Sequence, residues 1–388
     1  NRCLNLVFLD MSSNKIVSNS KQFILVENRR LNELVFSNIN IKDASDINIT
    51  YQNITYLNKE YFDKINGYAR LDLSNNRILL IEDSSLPQIF HLYLNNNELE
   101  FFSGNMFRAR DAENSNLVTL DLSYNKLKFI ELQKSFKSLT YLHLQNNTIF
   151  MINSELDITN VQMFDIKQNH LEEINRKLFY PFYRINYLYL NNNHLKYIES
   201  NTFLRCSLLR IIDLSNNRLG LIFNSTFFSL SKLEELNLSY NYLEFIDSDL
   251  FKDLTNLKIL DLRNNFIRYI NEHSFQNLNF LRDLYLNSNP YINEIDSNRT
   301  FVGLESIKNI YISFYLFSNF SSILNFKESI KSKYSRSILK IDYFESIDAI
   351  YLPNDINYNQ TECLKILYFV KFNLHLNLKN DKDYLKFD

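Results

Sequence analysis

Apolar and polar positions recur along this chain in a fixed frame. Leu209-Arg-Ile-Ile-Asp-Leu214-Ser-Asn-Asn217-Arg-Leu219 returns as Leu233-Glu-Glu-Leu-Asn-Leu238-Ser-Tyr-Asn241-Tyr-Leu243. It returns again as Leu257-Lys-Ile-Leu-Asp-Leu262-Arg-Asn-Asn265-Phe-Ile267, each copy 24 residues after the last. Numbering each copy from its first leucine, positions four and six lie two apart, so both face one side of a short strand. Positions three, five and seven face the other side. One strand per copy, stacked at about 4.8 Å on the next, predicts a long parallel sheet in a solenoid. The Asn at position nine is a side-chain donor for buried carbonyls where the chain leaves the strand.

The frame can be followed from Leu6 onward. After an imperfect copy at Ala44, firm copies open at Tyr68, Ile89, Leu117, Leu139, Val161, Ile185, Leu209, Leu233, Leu257 and Leu281. The predicted Asn ladder runs through Asn76, Asn97, Asn125, Asn147, Asn169, Asn193, Asn217, Asn241, Asn265 and Asn289. A Phe recurs on the return leg at Phe203, Phe227, Phe251, Phe275 and Phe301. An outer leg wider than the inner one curves the stack.

LxxLxLxxNxL in a 24-residue period, with Phe near position nineteen, resembles the typical class of extracellular leucine-rich repeats. Toll-like receptor ectodomains, Slit and the acid-labile subunit carry that class. The resemblance implies an α/β repeat fold, a right-handed horseshoe solenoid with a concave parallel β-sheet. Residues 1–317 are expected to form an array of about twelve coils, degenerate over 17–43 except for a weak coil at Leu31–Phe36. Ile307–Ile312 is the last expected strand, residues 318–388 are expected to cap the array, and 108–115 form a polar insertion opposite the strands.

Composition narrows the function by exclusion. A formal net charge of −2 lacks the basic excess of a nucleic-acid surface. With Gly 4 in the whole chain, no glycine-rich phosphate loop can form. The histidines are scattered; His91 and His143 stand two coils apart, too far to share a zinc ion. No catalytic constellation, metal site or cofactor is expected. Cys206 occupies the slot that Leu230, Leu254 and Leu278 fill in later copies, which makes it a small buried hydrophobe without redox duty. No run approaches about 18 uninterrupted apolar residues, so no membrane span is expected within the chain, while tethering outside it stays open. The chain opens at Asn1 without an initiator Met and is expected to be a fragment.

What remains is binding. Positions three and five display His91, Tyr93, Tyr141, His143, Tyr187, Tyr189 and Tyr285 on the concave face. Rings with a polar tip are the residue type enriched in binding hot spots. The expected function is therefore a non-enzymatic protein-interaction module of a secreted or cell-surface protein. The alternative is an intracellular scaffold or enzyme regulator in the cytoplasm. Oligomeric state is not fixed by the sequence. Asn-x-Ser/Thr triplets are no more frequent than this Asn-rich composition produces; Asn224 and Asn298 sit where loops are expected and are the candidate glycan sites.

Overall fold

The computed structural model describes residues 8–10, 22–24, 33–35, 46–59, 62, 68–107, 116–132, 136–152, 158–292, 297–313 and 338–342. Among them a 14-stranded sheet runs through the array, and its neighbouring strands are parallel. The strands Thr119–Asp121, Tyr141–His143, Met163–Asp165, Tyr187–Tyr189, Ile211–Asp213, Glu235–Asn237, Ile259–Asp261 and Asp283–Tyr285 each cover positions three to five of a copy. The central residue of each strand is buried, as is the position-six residue that follows, giving one core along the coils.

The turn out of each strand depends on two residues. Position eight adopts a left-handed backbone throughout, from Asn75 (φ 57) through Asn192 (φ 57) and Asn216 (φ 57) to Asn264 (φ 54). Asn tolerates that region better than most side chains, which explains the doubled Asn-Asn of many copies. Tyr124 and Tyr240 take the same conformation without that advantage. The turn aims position nine inward. Asn217 Nδ2 donates to the carbonyls of Leu190 at 3.0 Å, Leu214 at 3.0 Å and Ser215 at 3.3 Å. Its Oδ1 accepts the Leu195 N–H at 3.0 Å, so the side chain ties its coil to the one before. Asn193, Asn241, Asn265 and Asn289 repeat this arrangement.

The outer leg is made of turns and short strand pairs, Phe101–Ser103 with Phe129–Glu131, Glu173–Ile174 with Tyr197–Ile198, and Phe245–Ile246 with Tyr269–Ile270. Helix among the described residues is confined to the 3-10 turn Gly104–Met106 and to Ser297–Thr300. The expected Phe column is buried, and its rings stack: Phe203 on Phe227 at 6.5 Å, Phe251 on Phe275 at 6.2 Å, Phe275 on Phe301 at 6.0 Å.

Three strands depart from the expected series. Gln22–Ile24 falls in the stretch read as degenerate, yet it pairs with Asp46–Asn48 and extends the main sheet. Glu33–Val35, within the weak coil at Leu31–Phe36, pairs instead with Phe8–Asp10 in a separate sheet. Beyond Asn309–Ser313, where the sequence pattern ended, Ile338–Asp342 adds a further parallel strand. A sheet edge pairs through backbone groups, so an added strand needs no repeat motif. The insertion 108–115, Cys3, Cys363 and the rest of 318–388 lie outside the described residues.

Cys206 is 0% exposed, and its thiol faces the Phe179 carbonyl at 3.9 Å. Burial pushes its pKa up to about 12. Only the thiolate is a good nucleophile. Iodoacetamide at pH 8 is therefore expected to alkylate Cys206 only after denaturation. Peptide mapping showing native-state alkylation would contradict this packing.

Candidate functional site

The outward column at position five has a two-coil rhythm. It reads Asp72, Tyr93, Asp121, His143, Asp165, Tyr189, Asp213, Asn237, Asp261, Tyr285, with these residues in register along the sheet. Parallel neighbours stand about 4.8 Å apart, so adjacent carboxylates in this column would repel; alternation sets them about 9.6 Å apart, twice the strand spacing.

Each Asp also closes its own turn. The N–H of position seven donates to the Asp Oδ1 at Ser74 (3.1 Å), Ser123 (3.0 Å), Lys167 (3.2 Å), Ser215 (3.0 Å) and Arg263 (3.1 Å). Three of these carboxylates hold a cation as well: Asp72 with Arg70 at 2.9 Å, Asp165 with Lys167 at 3.0 Å, Asp261 with Arg263 at 2.9 Å. Each of those cations lies over the tyrosine ring of the next coil. Arg70 is 4.4 Å from the Tyr93 centroid, Lys167 5.5 Å from Tyr189, Arg263 5.2 Å from Tyr285. Burial raises the Asp261 pKa, and the Arg263 backbone N–H, then its guanidinium, oppose that shift. Burial, then the neighbouring Tyr311, pushes the Tyr285 hydroxyl up to about 12.

The seven rings named from sequence are therefore not equally displayed. Tyr141 is exposed at 41%. His91 is half-buried with its Nδ1 3.0 Å from the Thr119 hydroxyl. Tyr93 and Tyr189 lie under cations, and Tyr285 stacks on Tyr311 at 4.3 Å, well along the sheet from the others. His143 and Tyr187 are half-buried. The rings form no continuous patch: Met163 stands between Tyr141 and Tyr187, and Asp165 between His143 and Tyr189. Close strand spacing makes each residue a neighbour of the next coil, so a long side chain at position three (Arg70) or position seven (Lys167, Arg263) folds back over a tyrosine.

Sequence reasoning missed a depression of about 210 Å³ one step along the sheet, lined by Tyr189, Asp213, Glu235, Asn237 and Asp261. The available signal was the position-seven column, cationic at Lys167 and Arg263 but Ser at Ser215 and Ser239. It also missed an exposed ring ladder on the flank, where Tyr242 meets Phe266 at 5.7 Å and Phe266 meets Tyr291 at 6.0 Å. A larger depression of about 710 Å³ lies on the outer leg beside Phe150 and Met151. Asn224 is exposed in a turn, whereas Asn298 falls in the helical turn Ser297–Thr300 rather than a loop. Among the described residues no group of three or more His, Cys, Asp or Glu is placed to hold a metal ion, and no helix is long and apolar enough to cross a membrane.

The model of the family described as leucine rich repeat matches residues 159–219, 207–265, 231–291 and 255–314. That stretch is a leucine-rich repeat array. Its repeats are similar to a chain in the structure of the Drosophila Toll–Spatzle complex in glycosylated form, at 20% identity and a TM-score of 0.60, covering 76% of this chain and 44% of that one. They are similar to a chain of the octameric complex of Latrophilin 3, Unc5D and FLRT2 (LRR), at 20% identity and a TM-score of 0.55, covering 65% and 78%. The ectodomain of the Arabidopsis thaliana receptor kinase GASSHO1/SCHENGEN3, in complex with CASPARIAN STRIP INTEGRITY FACTOR 2, matches at 22% identity and a TM-score of 0.51, covering 79% and 39%. At such identities these likenesses show the leucine-rich repeat fold alone. Among curated proteins, the adenylate cyclase of Schizosaccharomyces pombe is 26% identical over 168 residues. That match takes in 40% of this chain and only 10% of the cyclase.

Proposed function

We propose that this chain is a non-enzymatic protein-interaction module of a secreted or cell-surface protein, binding a protein partner on its concave sheet. The observation that carries this reading is the outward column itself. Its rings and carboxylates are held at fixed spacing by parallel strands, by the position-seven bonds and by the folded-back cations. Groups already ordered lose little entropy on binding, and rings with polar tips suit a protein interface. The Toll–Spatzle structure, that of Latrophilin 3, Unc5D and FLRT2 (LRR), and that of the GASSHO1/SCHENGEN3 ectodomain with CASPARIAN STRIP INTEGRITY FACTOR 2 are all complexes, which supports the same use here. The similarity to a cyclase favours a second reading, an intracellular scaffold or enzyme regulator. Antibody labelling of intact against permeabilised cells separates the two.

The contact is centred on Tyr141, His143, Tyr187 and Tyr189, with His91, Tyr93 and Tyr285 outside that centre. Replacing those four with Ala is expected to leave the melting temperature within a few degrees, because none of the four side chains belongs to the buried core. The same variant is expected to bind a cross-linked and purified partner at least about tenfold more weakly, about 1.4 kcal/mol. Unchanged affinity of a well-folded quadruple variant overturns the concave reading.

A further inference from the structure

The concave column contains its own comparison. At Asp72, Asp165 and Asp261 the fold builds a slot in which a carboxylate holds an Arg or Lys head at 2.9, 3.0 and 2.9 Å. In each, a tyrosine ring flanks the cation. Asp213 repeats the backbone of that slot, with the Ser215 N–H on its Oδ1 at 3.0 Å, but neither position three, Ile211, nor position seven, Ser215, supplies a cation; Asp121, with Thr119 and Ser123 at those positions, lacks one too. One strand further, Glu235 stands opposite Ile211 and so diagonal to Asp213 on the same face, adding an exposed carboxylate there. No described cation forms an ion pair with Asp213 or Glu235; the nearby Lys167 and Arg263 are committed to Asp165 and Asp261. The depression of about 210 Å³ opens at this place in the column, between Tyr189 and Asp261.

Charge, shape and internal precedent agree. Of the three carboxylates lining the depression, only Asp261 is neutralised by a described cation. Its volume lies below the roughly 300 Å³ of a small-molecule site. Its carboxylates are not among any group placed to hold a metal ion. We propose that this depression receives one lysine or arginine side chain from a protein partner, its head between Asp213 and Glu235 and its stem along Ile211 and Ile259. The three filled slots show how the sheet treats such a head: a charge-assisted bond to the position-five carboxylate, with a ring alongside. At Asp213 the chain leaves this place to another molecule. This inference rests on the concave-face reading above and adds to it the chemistry of the contact.

The test uses the whole chain and a small probe, N-acetyl-arginine amide, with its neutral citrulline counterpart, followed by nuclear magnetic resonance of the tyrosine rings. The arginine probe is expected to bind the native chain with a millimolar Kd and to shift Tyr189, while the citrulline probe does not bind. Asp213→Asn with Glu235→Gln is expected to weaken the arginine probe at least about tenfold. Asn at 213 keeps an oxygen for the Ser215 N–H, so this variant should melt as the native chain does. Glu100→Gln with Glu172→Gln removes two charges from the outer leg and is expected to change nothing. Equal affinity for the native chain and the Asp213/Glu235 variant, or no binding to the native chain, overturns the proposal. A partner lost on the four-residue ring variant but retained by the Asp213/Glu235 variant would overturn this slot and leave the concave reading standing. A partner retained by both would remove both.

Discussion

Phe275→Ala is expected to lower the unfolding free energy by about 3–5 kcal/mol, measured by denaturant titration followed by circular dichroism. The ring is 0% exposed and stacks between Phe251 at 6.2 Å and Phe301 at 6.0 Å. Truncation removes its transfer free energy and leaves a void that stacked rings on both sides cannot close. In a solenoid each coil is stabilised by its neighbours, so one lost ring weakens two interfaces. Phe275→Leu, which refills part of the volume, should recover a portion of the loss. If Phe275→Ala costs less than about 1 kcal/mol, the outer column does not carry the packing assigned to it.

Asn217→Ala is expected to cost about 1–3 kcal/mol, more than its size suggests. The side chain makes four bonds to backbone groups, at 3.0, 3.0, 3.3 and 3.0 Å, and a methyl group replaces none of them. Buried groups left without partners lose their desolvation compensation. Asn217→Asp separates donor from shape. A carboxylate there would face the carbonyls of Leu190, Leu214 and Ser215 without a donor, so its folded pKa would lie above its unfolded value. Such a group stabilises the fold when protonated, and that contribution is lost as pH rises through the folded pKa. Asn217→Asp is thus expected to lose at least as much as Asn217→Ala at pH 7. Relative to the native chain, it should recover part of that loss as pH falls. A pH-independent difference would show that the donor bonds are not the source of the effect.

The strands were legible because burial imposes a period. Leu214, Leu238 and Leu262 sit at position six, and Asn217, Asn241 and Asn265 at position nine. Any coil must bury the first set and satisfy backbone with the second, so the frame is written in the residues themselves. The Phe column was legible for the same reason. The left-handed turn at position eight was not, because Asn there reads as a second copy of the ladder, and Tyr124 and Tyr240 carry no signal for positive φ. Ile338–Asp342 was hidden because edge pairing uses backbone that every residue has.

The candidate site was legible only in outline. The sequence determined which residues leave the core, since positions three, five and seven must point away from Leu at four and six. The sequence also contained the alternation of Asp with Tyr, His or Asn. Only the tertiary structure decided what that alternation does. Residues 24 apart in the chain become neighbours about 4.8 Å apart in space, and at that separation a side chain's surroundings come from the adjacent coils. That is why Lys167 and Arg263 cover rings that looked free, and why a depression lies at Asp213, where neither Ile211 nor Ser215 supplies a cation.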